Sequence, residues 1–251
     1  MSGLLVYLVG VPVVLLFTIV NTMAGLGTAF IVVPVLYWLG VPLREAAPTG
    51  LLLNFVSLTF ALVTYVRGKL VDIRTAVPIT VAAVVLSPLG ARASRGADQR
   101  VLLWLFSAFL VFAGAMMLFY QARSRVVRRD AATVSVGAGL GGLAGFVGGL
   151  LGVGGGNIVL PFLNRLGFDA KVAAGTTAFI VAFSSLAGFF GHASLGGMNY
   201  TLFAVMMLTA IVGALLGSYL MRFKVTPPQL KRIMAAVLFL AAAKIIQGLL
   251  M

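Results

Sequence analysis

The sequence predicts an all-α polytopic membrane protein made of two homologous repeats, and three observations carry that prediction. Of its 251 residues, 61% are hydrophobic and 9% charged, against roughly 25% charged in an ordinary soluble domain. The apolar residues fall into successive segments that leave no stretch long enough to fold as a separate aqueous domain. Finally, the glycine-rich stretch 152–161 interrupts one apolar run, and a related stretch, 25–34, interrupts another 127 residues earlier. Lipid offers backbone N–H and C=O groups no partners, so irregular backbone at membrane depth survives only where protein or a polar cavity satisfies it. Matched Gly/Pro breaks in two halves therefore point to a transport site.

Taken in order, the segments cover about 3–22, 28–40, 46–66, 73–91, 101–121, 132–150, 156–164, 172–192, 200–221 and 230–250. The first lacks a basic leader region and runs directly into the first break, so it reads as a retained helix rather than a signal peptide. A perpendicular helix needs about 20 residues to cross the hydrocarbon core. The second and seventh segments are too short for that and read as half-helices following a break. The others read as long transmembrane helices, about four to each repeat.

Aligned without gaps, 25–57 and 152–184 share 12 identities in 33 positions, among them Gly25/Gly152, Gly27/Gly154, Pro34/Pro161, Thr49/Thr176 and Ser57/Ser184. Agreement of Gly, Pro, Thr and Ser together is hard to obtain from biased composition alone. The expected organisation is a first transmembrane repeat over 1–122, a basic linker over 123–130 and a second repeat over 131–251.

The charges set the expected topology. Lys and Arg number 18 against 5 Asp and Glu, but the basic residues sit in short loops between apolar segments, which suits positive-inside anchoring better than nucleic acid. With both short segments counted as crossings, one face collects Arg67, Lys69, Arg74, Arg123, Arg125, Arg128, Arg129, Arg165, Lys171, Arg222, Lys224, Lys231 and Arg232, which is 13 of the 18. With each short segment merged into its predecessor the split is 10 to 8. The first partition favours inverted repeats, with the 123–130 linker cytoplasmic and residues 195–199 on the opposite face.

Function must come from few groups. There is no cysteine, which excludes disulfides and cysteine-ligated metal. The run from Gly152 superficially matches a phosphate-cradling loop, yet no strand precedes it and no Lys-Ser/Thr follows. Gly137, Gly141, Gly145 and Gly149 recur every fourth residue and line one helix face, as close helix packing requires. Gly154, Gly155 and Gly156 are consecutive and cannot all serve one face, so they read as a backbone break. Beyond such a break the N–H groups of the next half-helix are unpaired and carry the positive end of its dipole, a site for an anion. Pro34 and Pro161 fit a helix that breaks or starts there.

Asn21, Thr22, Thr28, Thr49, Asn54, Ser57, Asn157, Thr176, Thr177, Ser184 and Ser185 are the uncharged polar residues near the breaks and in the helix after each. The set expected to bind solute is Asn21, Gly25, Gly27, Thr28, Thr49, Ser57, Gly154, Gly155, Gly156, Asn157, Thr176, Thr177 and Ser184. Each hydroxyl has the alternative of an interhelical or backbone hydrogen bond. His192, the one histidine, reads first as an interface anchor and second as a proton-coupling group. Glu45, Asp72, Asp98, Asp130 and Asp169 all fall at segment ends, so no carboxylate is available for a buried proton relay or a divalent-metal site. No HExxH motif or His–Asp pair at depth supports an intramembrane hydrolase. The inventory favours a small anionic solute, with the lipid bilayer as the other partner and no cofactor.

The run Gly152-Val153-Gly154-Gly155-Gly156 followed by Pro161, its degenerate copy Gly25-Leu26-Gly27 with Pro34, and the elements Ala46-Ala47-Pro48-Thr49 and Ala173-Ala174-Gly175-Thr176 resemble the TauE/SafE family of sulfite and organosulfonate exporters. The resemblance covers essentially the whole chain. It implies a multi-pass secondary transporter of the inner (plasma) membrane that exports sulfite or organosulfonates such as sulfoacetate and taurine derivatives. Thr28 and Ala29 depart from the fuller glycine pattern, standing where the second half has Gly155 and Gly156, so the half-sites are not expected to contribute equally. An importer or channel for another small anion such as thiosulfate stays open as an alternative. A membrane enzyme or assembly factor would need a catalytic cluster that the sequence does not display.

Overall fold

The computed structural model describes residues 3–38, 40–119, 131–192, 200–223 and 228–250. Every regular element among them is a helix: α1 (Gly3–Met23), α2 (Ala29–Trp38), α3 (Leu43–Arg67), α4 (Ile73–Gly96), α5 (Gln99–Phe119), α6 (Ala131–Leu151), α7 (Gly156–Arg165), α8 (Ala170–His192), α9 (Tyr200–Phe223) and α10 (Pro228–Leu250). Five of them, α3, α4, α5, α8 and α9, are long and apolar enough over their described lengths to cross a bilayer. The 123–130 linker and the 195–199 stretch lie outside the described residues.

Three of the four described acids sit at segment ends because they start helices. Asp72 accepts the Thr75 N–H at 3.0 Å, Asp98 the Arg100 N–H at 2.6 Å, and Asp169 the Lys171 N–H at 2.9 Å. Each carboxylate thereby satisfies an orphan donor at the positive end of α4, α5 or α8. Glu45 occupies the first turn of α3.

Packing interleaves the two halves of the chain. α4 lies on α6 and α8, while α9 lies on α1 and α3; α3 also meets α8, and α5 meets α10. Exchanging α1–α5 with α6–α10 turns each of these contacts into another of the set or into itself. Gly141, Gly145 and Gly149 build the α4–α6 seam: a Cβ on each would come within 2.5, 2.3 and 2.0 Å of Ile79, Ala83 and Ser87. Both sets of numbers rise in fours, so the two helices run parallel and their backbones touch, as small residues allow in lipid. The opposite face of α4 exposes Val77, Val81, Val85 and Leu89. A regular apolar stripe turned outward is what a lipid solvent selects.

Directions follow from the same kind of contact. Leu51 lies against Gly188 and the Leu70 carbonyl against Gly175, while Asn54 bonds to Ser185. Numbers fall along α8 as they rise along α3, so these two helices are antiparallel. The short helices do not continue their predecessors. Gly148 faces Gly154 and Gly155, the Ala144 carbonyl faces Gly155, and Gly137 faces Phe162; α7 therefore turns back along α6. In the other half α2 lies antiparallel on α3, with Gly50 beside Val33 and Asn54 beside Ala29.

Candidate functional site

Each reversal is made by glycines in the left-handed region. Gly25 and Gly27 have φ of 71° and 76°, and Gly152, Gly154 and Gly155 have 76°, 78° and 71°. Side chains are strained there, so glycine is what allows the chain to double back within a few residues. The half-helices begin at Ala29 and Gly156, so Pro34 and Pro161 sit inside them. The starts are set by the glycine turns and not by the prolines.

The breaks are seated on each other's half of the chain. A Cβ on Gly25 would lie 1.9 Å from the Ala174 carbonyl of α8, and one on Gly152 would lie 2.4 Å from Ala47 of α3. They also meet in the middle, where the Gly156 Cβ position is 3.1 Å from the Leu26 side chain and 3.4 Å from its Cα. Two half-helix N-termini thus start beside one another in buried surroundings.

Asn54 joins them. Its Oδ1 accepts the N–H of Ala29, the first residue of α2, at 3.3 Å. Its Nδ2 donates to Ser185 Oγ on α8 at 2.9 Å. Gly27 and Gly154 both press on this amide, since their Cβ positions would lie 1.8 and 2.6 Å from it. Thr28 starts α2 by taking the Ile31 and Val32 N–H groups on its carbonyl, and its hydroxyl lies 3.0 Å from that of Ser57. At α7 the corresponding start is Gly155, and no side chain caps it.

The remaining expected residues divide. Asn21, Thr22 and Thr177 are fully buried, and both amide atoms of Asn21 and both threonine hydroxyls lack a hydrogen-bond partner. Asn157 is buried in the first turn of α7. Thr49 donates to the Glu45 carbonyl in its own helix. Thr176 accepts the Asp72 N–H and so ties α8 to the α3–α4 turn. Ser184 donates to the Val181 carbonyl. Gly155 is packed as well as turned, its Cβ position lying 2.1 Å from the Ala144 carbonyl, so α6 rather than a solute occupies that side. His192 Nε2 donates to the Gly149 carbonyl at 2.9 Å and caps the end of α6, while Arg95 donates to the neighbouring Gly191 carbonyl. Asn54 sits between the two breaks but gives no recurrence signal, because its repeat mate is Val181.

The family model described as Sulfite exporter TauE/SafE matches residues 10–245. Among individual proteins, the chain is 26% identical to the probable membrane transporter protein YunE of Bacillus subtilis, over 90% of this chain and 92% of that protein. It is 23% identical to a probable membrane transporter protein of Methanocaldococcus jannaschii, over 88% of each. A shorter stretch, 30% of this chain and 17% of the relative, is 37% identical to Sulfite exporter TauE/SafE family protein 1 of Arabidopsis thaliana. No solved structure matches the chain significantly.

Proposed function

The chain belongs to the sulfite exporter TauE/SafE family of membrane transporters, and on that premise we propose that it is a secondary transporter that exports small sulfur-containing anions, sulfite or organosulfonates, across the inner membrane by alternating access. The observation that carries this reading is the meeting of the α2 and α7 starts around Asn54. Two helix N-termini converge there with none of the described carboxylates beside them, since Asp72, Asp98 and Asp169 are spent on outer helix starts and Glu45 stands in the first turn of α3. Partial positive charge in a poorly polarisable setting favours an anion, which backbone N–H groups and the second Nδ2 proton of Asn54 would solvate in place of water, together with the Thr28 and Ser57 hydroxyls once turned from their bonds to Ser57 and to the Asn54 carbonyl.

The residue set expected from sequence narrows accordingly. Thr28, Ser57, Gly156 and Asn157 stay as solute-facing candidates, with Asn54 and Ser185 added, while Gly27 and Gly154 are packed on the Asn54 amide. Thr49, Thr176, Ser184 and Gly155 support the scaffold, and His192 holds the end of α6 beside the second break. The antiparallel course of α3 and α8 supports inverted repeats over 1–122 and 131–251, and the placement of Lys and Arg supports a cytoplasmic 123–130 linker. Exposure would then alternate as one hairpin and its neighbours rock against the other.

Flux from proteoliposomes loaded with sulfite, thiosulfate, sulfoacetate or taurine tests the proposal. Saturable efflux of at least one sulfur-bearing anion is expected, with uncharged analogues of equal size excluded. Flux that rises linearly with concentration would make the protein a channel. Transport of none of these anions would overturn the substrate assignment and leave the family membership untouched.

A further inference from the structure

We propose that Tyr65 and His192 are paired positioning residues of the transport cycle, each locking one glycine break to the far end of its own repeat's long helix, on opposite sides of the site. As parts of a cycle they rest on the transport reading above; as locks they rest on two hydrogen bonds. The buried Tyr65 hydroxyl, near the end of α3, donates to the Thr22 carbonyl in the last turn of α1. The buried His192 Nε2, at the end of α8, donates to the Gly149 carbonyl in the last turn of α6 at 2.9 Å.

The two bonds are one bond made twice. The offset of 127 residues that maps Gly25 on Gly152 also maps Thr22 on Gly149 and Tyr65 on His192. Each accepting carbonyl lies three residues ahead of the first left-handed glycine of its break, Gly25 at φ 71° and Gly152 at φ 76°. Each donor follows its acceptor by 43 residues in the chain. A tyrosine stands in one copy and a histidine in the other, so ring size and chemistry have changed while the contact has stayed. What repeats is the donor on that carbonyl and not the side chain that supplies it.

A helix that ends at membrane depth leaves its last carbonyls without intrahelical donors, and lipid supplies none. Satisfying one of them from α3 or α8 ties each break to a helix that carries the site, since Asn54 lies on α3 and Ser185 on α8. Toward the opposite repeat each break is seated through glycine backbone, Gly25 against the Ala174 carbonyl and Gly152 against Ala47. Contacts of that kind can slide, whereas a hydrogen bond is either made or broken, which is what a two-state gate requires.

The locks lie at opposite ends of the antiparallel α3–α8 pair, whose helices are level with each other at the Asn54–Ser185 bond. Tyr65 is 11 residues beyond Asn54 along α3, and His192 is 7 residues beyond Ser185 along α8 in the opposite direction. At about 1.5 Å per residue they are separated by roughly 27 Å along the bundle, close to the ~30 Å of a hydrocarbon core. Tyr65 thus stands at the face where α3 leads to Lys69, and His192 at the face where α4 leads to Asp98, next to the Gly191 carbonyl that Arg95 of α4 holds. With both bonds made, Asn54, Ser57 and Ser185 between them are 0% exposed. Breaking the Tyr65 bond frees the first break toward the Lys69 face, and breaking the His192 bond frees the second toward the Asp98 face. Releasing one at a time is alternating access.

The test is thiol labelling in the otherwise cysteine-free chain, with Ser57→Cys as a reporter between the locks and a membrane-impermeant reagent applied to one face of oriented vesicles at a time. Tyr65→Phe, which removes one oxygen and keeps the ring, should speed labelling about 2- to 10-fold from the Lys69 face, the range set by the net worth of one hydrogen bond, and leave the rate from the Asp98 face unchanged. His192→Leu should do the reverse, and His192→Gln, which keeps an N–H, should return toward the native rate. Faster labelling from both faces alike, from the wrong face or in one variant only would overturn the pairing. Acceleration in neither would also overturn it and reduce both bonds to helix caps. Labelling needs no solute, so the two readings fail separately. Opposite-face acceleration in a chain that transports none of the sulfur anions keeps the locks and drops the substrate, whereas saturable efflux with symmetric labelling keeps the substrate and drops the locks.

Discussion

Replacing Asn54 by leucine removes the side chain that joins the two breaks while keeping its approximate volume. Two losses follow from the geometry. The Ala29 N–H, whose acceptor is Asn54 Oδ1, becomes a buried unpaired donor, which costs about 1–3 kcal/mol. The bond to Ser185 disappears, a net loss of about 0.5–1.5 kcal/mol. Asn54→Leu should therefore destabilise the protein by roughly 1.5–4.5 kcal/mol. Ser185→Ala removes only the second interaction and strands Asn54 Nδ2. In the double variant the Asn54–Ser185 bond is lost once rather than twice, so the double cost should fall short of the sum by about 0.5–3 kcal/mol, the range expected for residues in contact. Chemical unfolding in micelles measures all four corners of the cycle. Additivity within about 0.5 kcal/mol would show that the bridge carries no energy, and the centre of the proposed site would have to be sought elsewhere. Solute flux should fall more steeply than stability in Asn54→Leu, because the amide faces both half-helix starts.

The α4–α6 seam leaves no room for a side chain at Gly145, where a Cβ would meet the Ala83 carbonyl at 2.3 Å, so Gly145→Leu should abolish recovery of folded protein. Gly139 has nothing within 4 Å of its Cβ position, and Gly139→Ala should be neutral or stabilising by up to about 1 kcal/mol in melting experiments; parity of the two variants would refute the seam. Cysteines introduced at Lys69 and Lys171 should be labelled from one side of the membrane and cysteines at Arg44 and Asp98 from the other, because the α3–α4 turn bonds to the start of α8 and Arg44 bonds to the Ala97 carbonyl. Labelling of 69 and 171 from opposite sides would exclude inverted repeats. His192→Leu loses the cap on Gly149 and should cost about 1 kcal/mol in unfolding measurements. His192→Gln keeps an N–H and should recover part of that cost, whereas equal losses would mean that the contact is one of packing only.

Much of the fold was legible because membrane helices advertise themselves by length and composition. The ten apolar segments fall within a few residues of the ten helices, and the four-residue spacing of Gly137, Gly141, Gly145 and Gly149 marked a packing face that the structure places on α4 and α7. What periodicity could not supply was direction: a short segment after a glycine break can extend the preceding helix or fold back beside it, and only contacts such as Gly148 to Gly154 distinguish them. The site was harder to read for a related reason. Recurrence drew attention to Thr49/Thr176 and Ser57/Ser184, of which Thr49, Ser57 and Ser184 donate to carbonyls of their own helices. Asn54 and Ser185 meet across the centre and differ from their mates, Val181 and Leu58. Where two copies face each other, one asymmetric amide can serve both, so the informative residue is the one that repetition hides.

The interleaving of the halves has a cost during synthesis. α1 ends at Met23, while α9, the helix that covers it, begins only at Tyr200. At 5–20 residues per second, α1 waits roughly 10–35 s for that neighbour. Through this interval its buried face, with Thr18, Asn21 and Thr22, must be shielded from lipid by the insertion machinery or by α2 and the Tyr65 end of α3. A nascent chain released before Tyr200 leaves α1 and α3 both short of the helix that would cover them. The α1–α9 and α3–α9 contacts can therefore form only in the last fifth of translation.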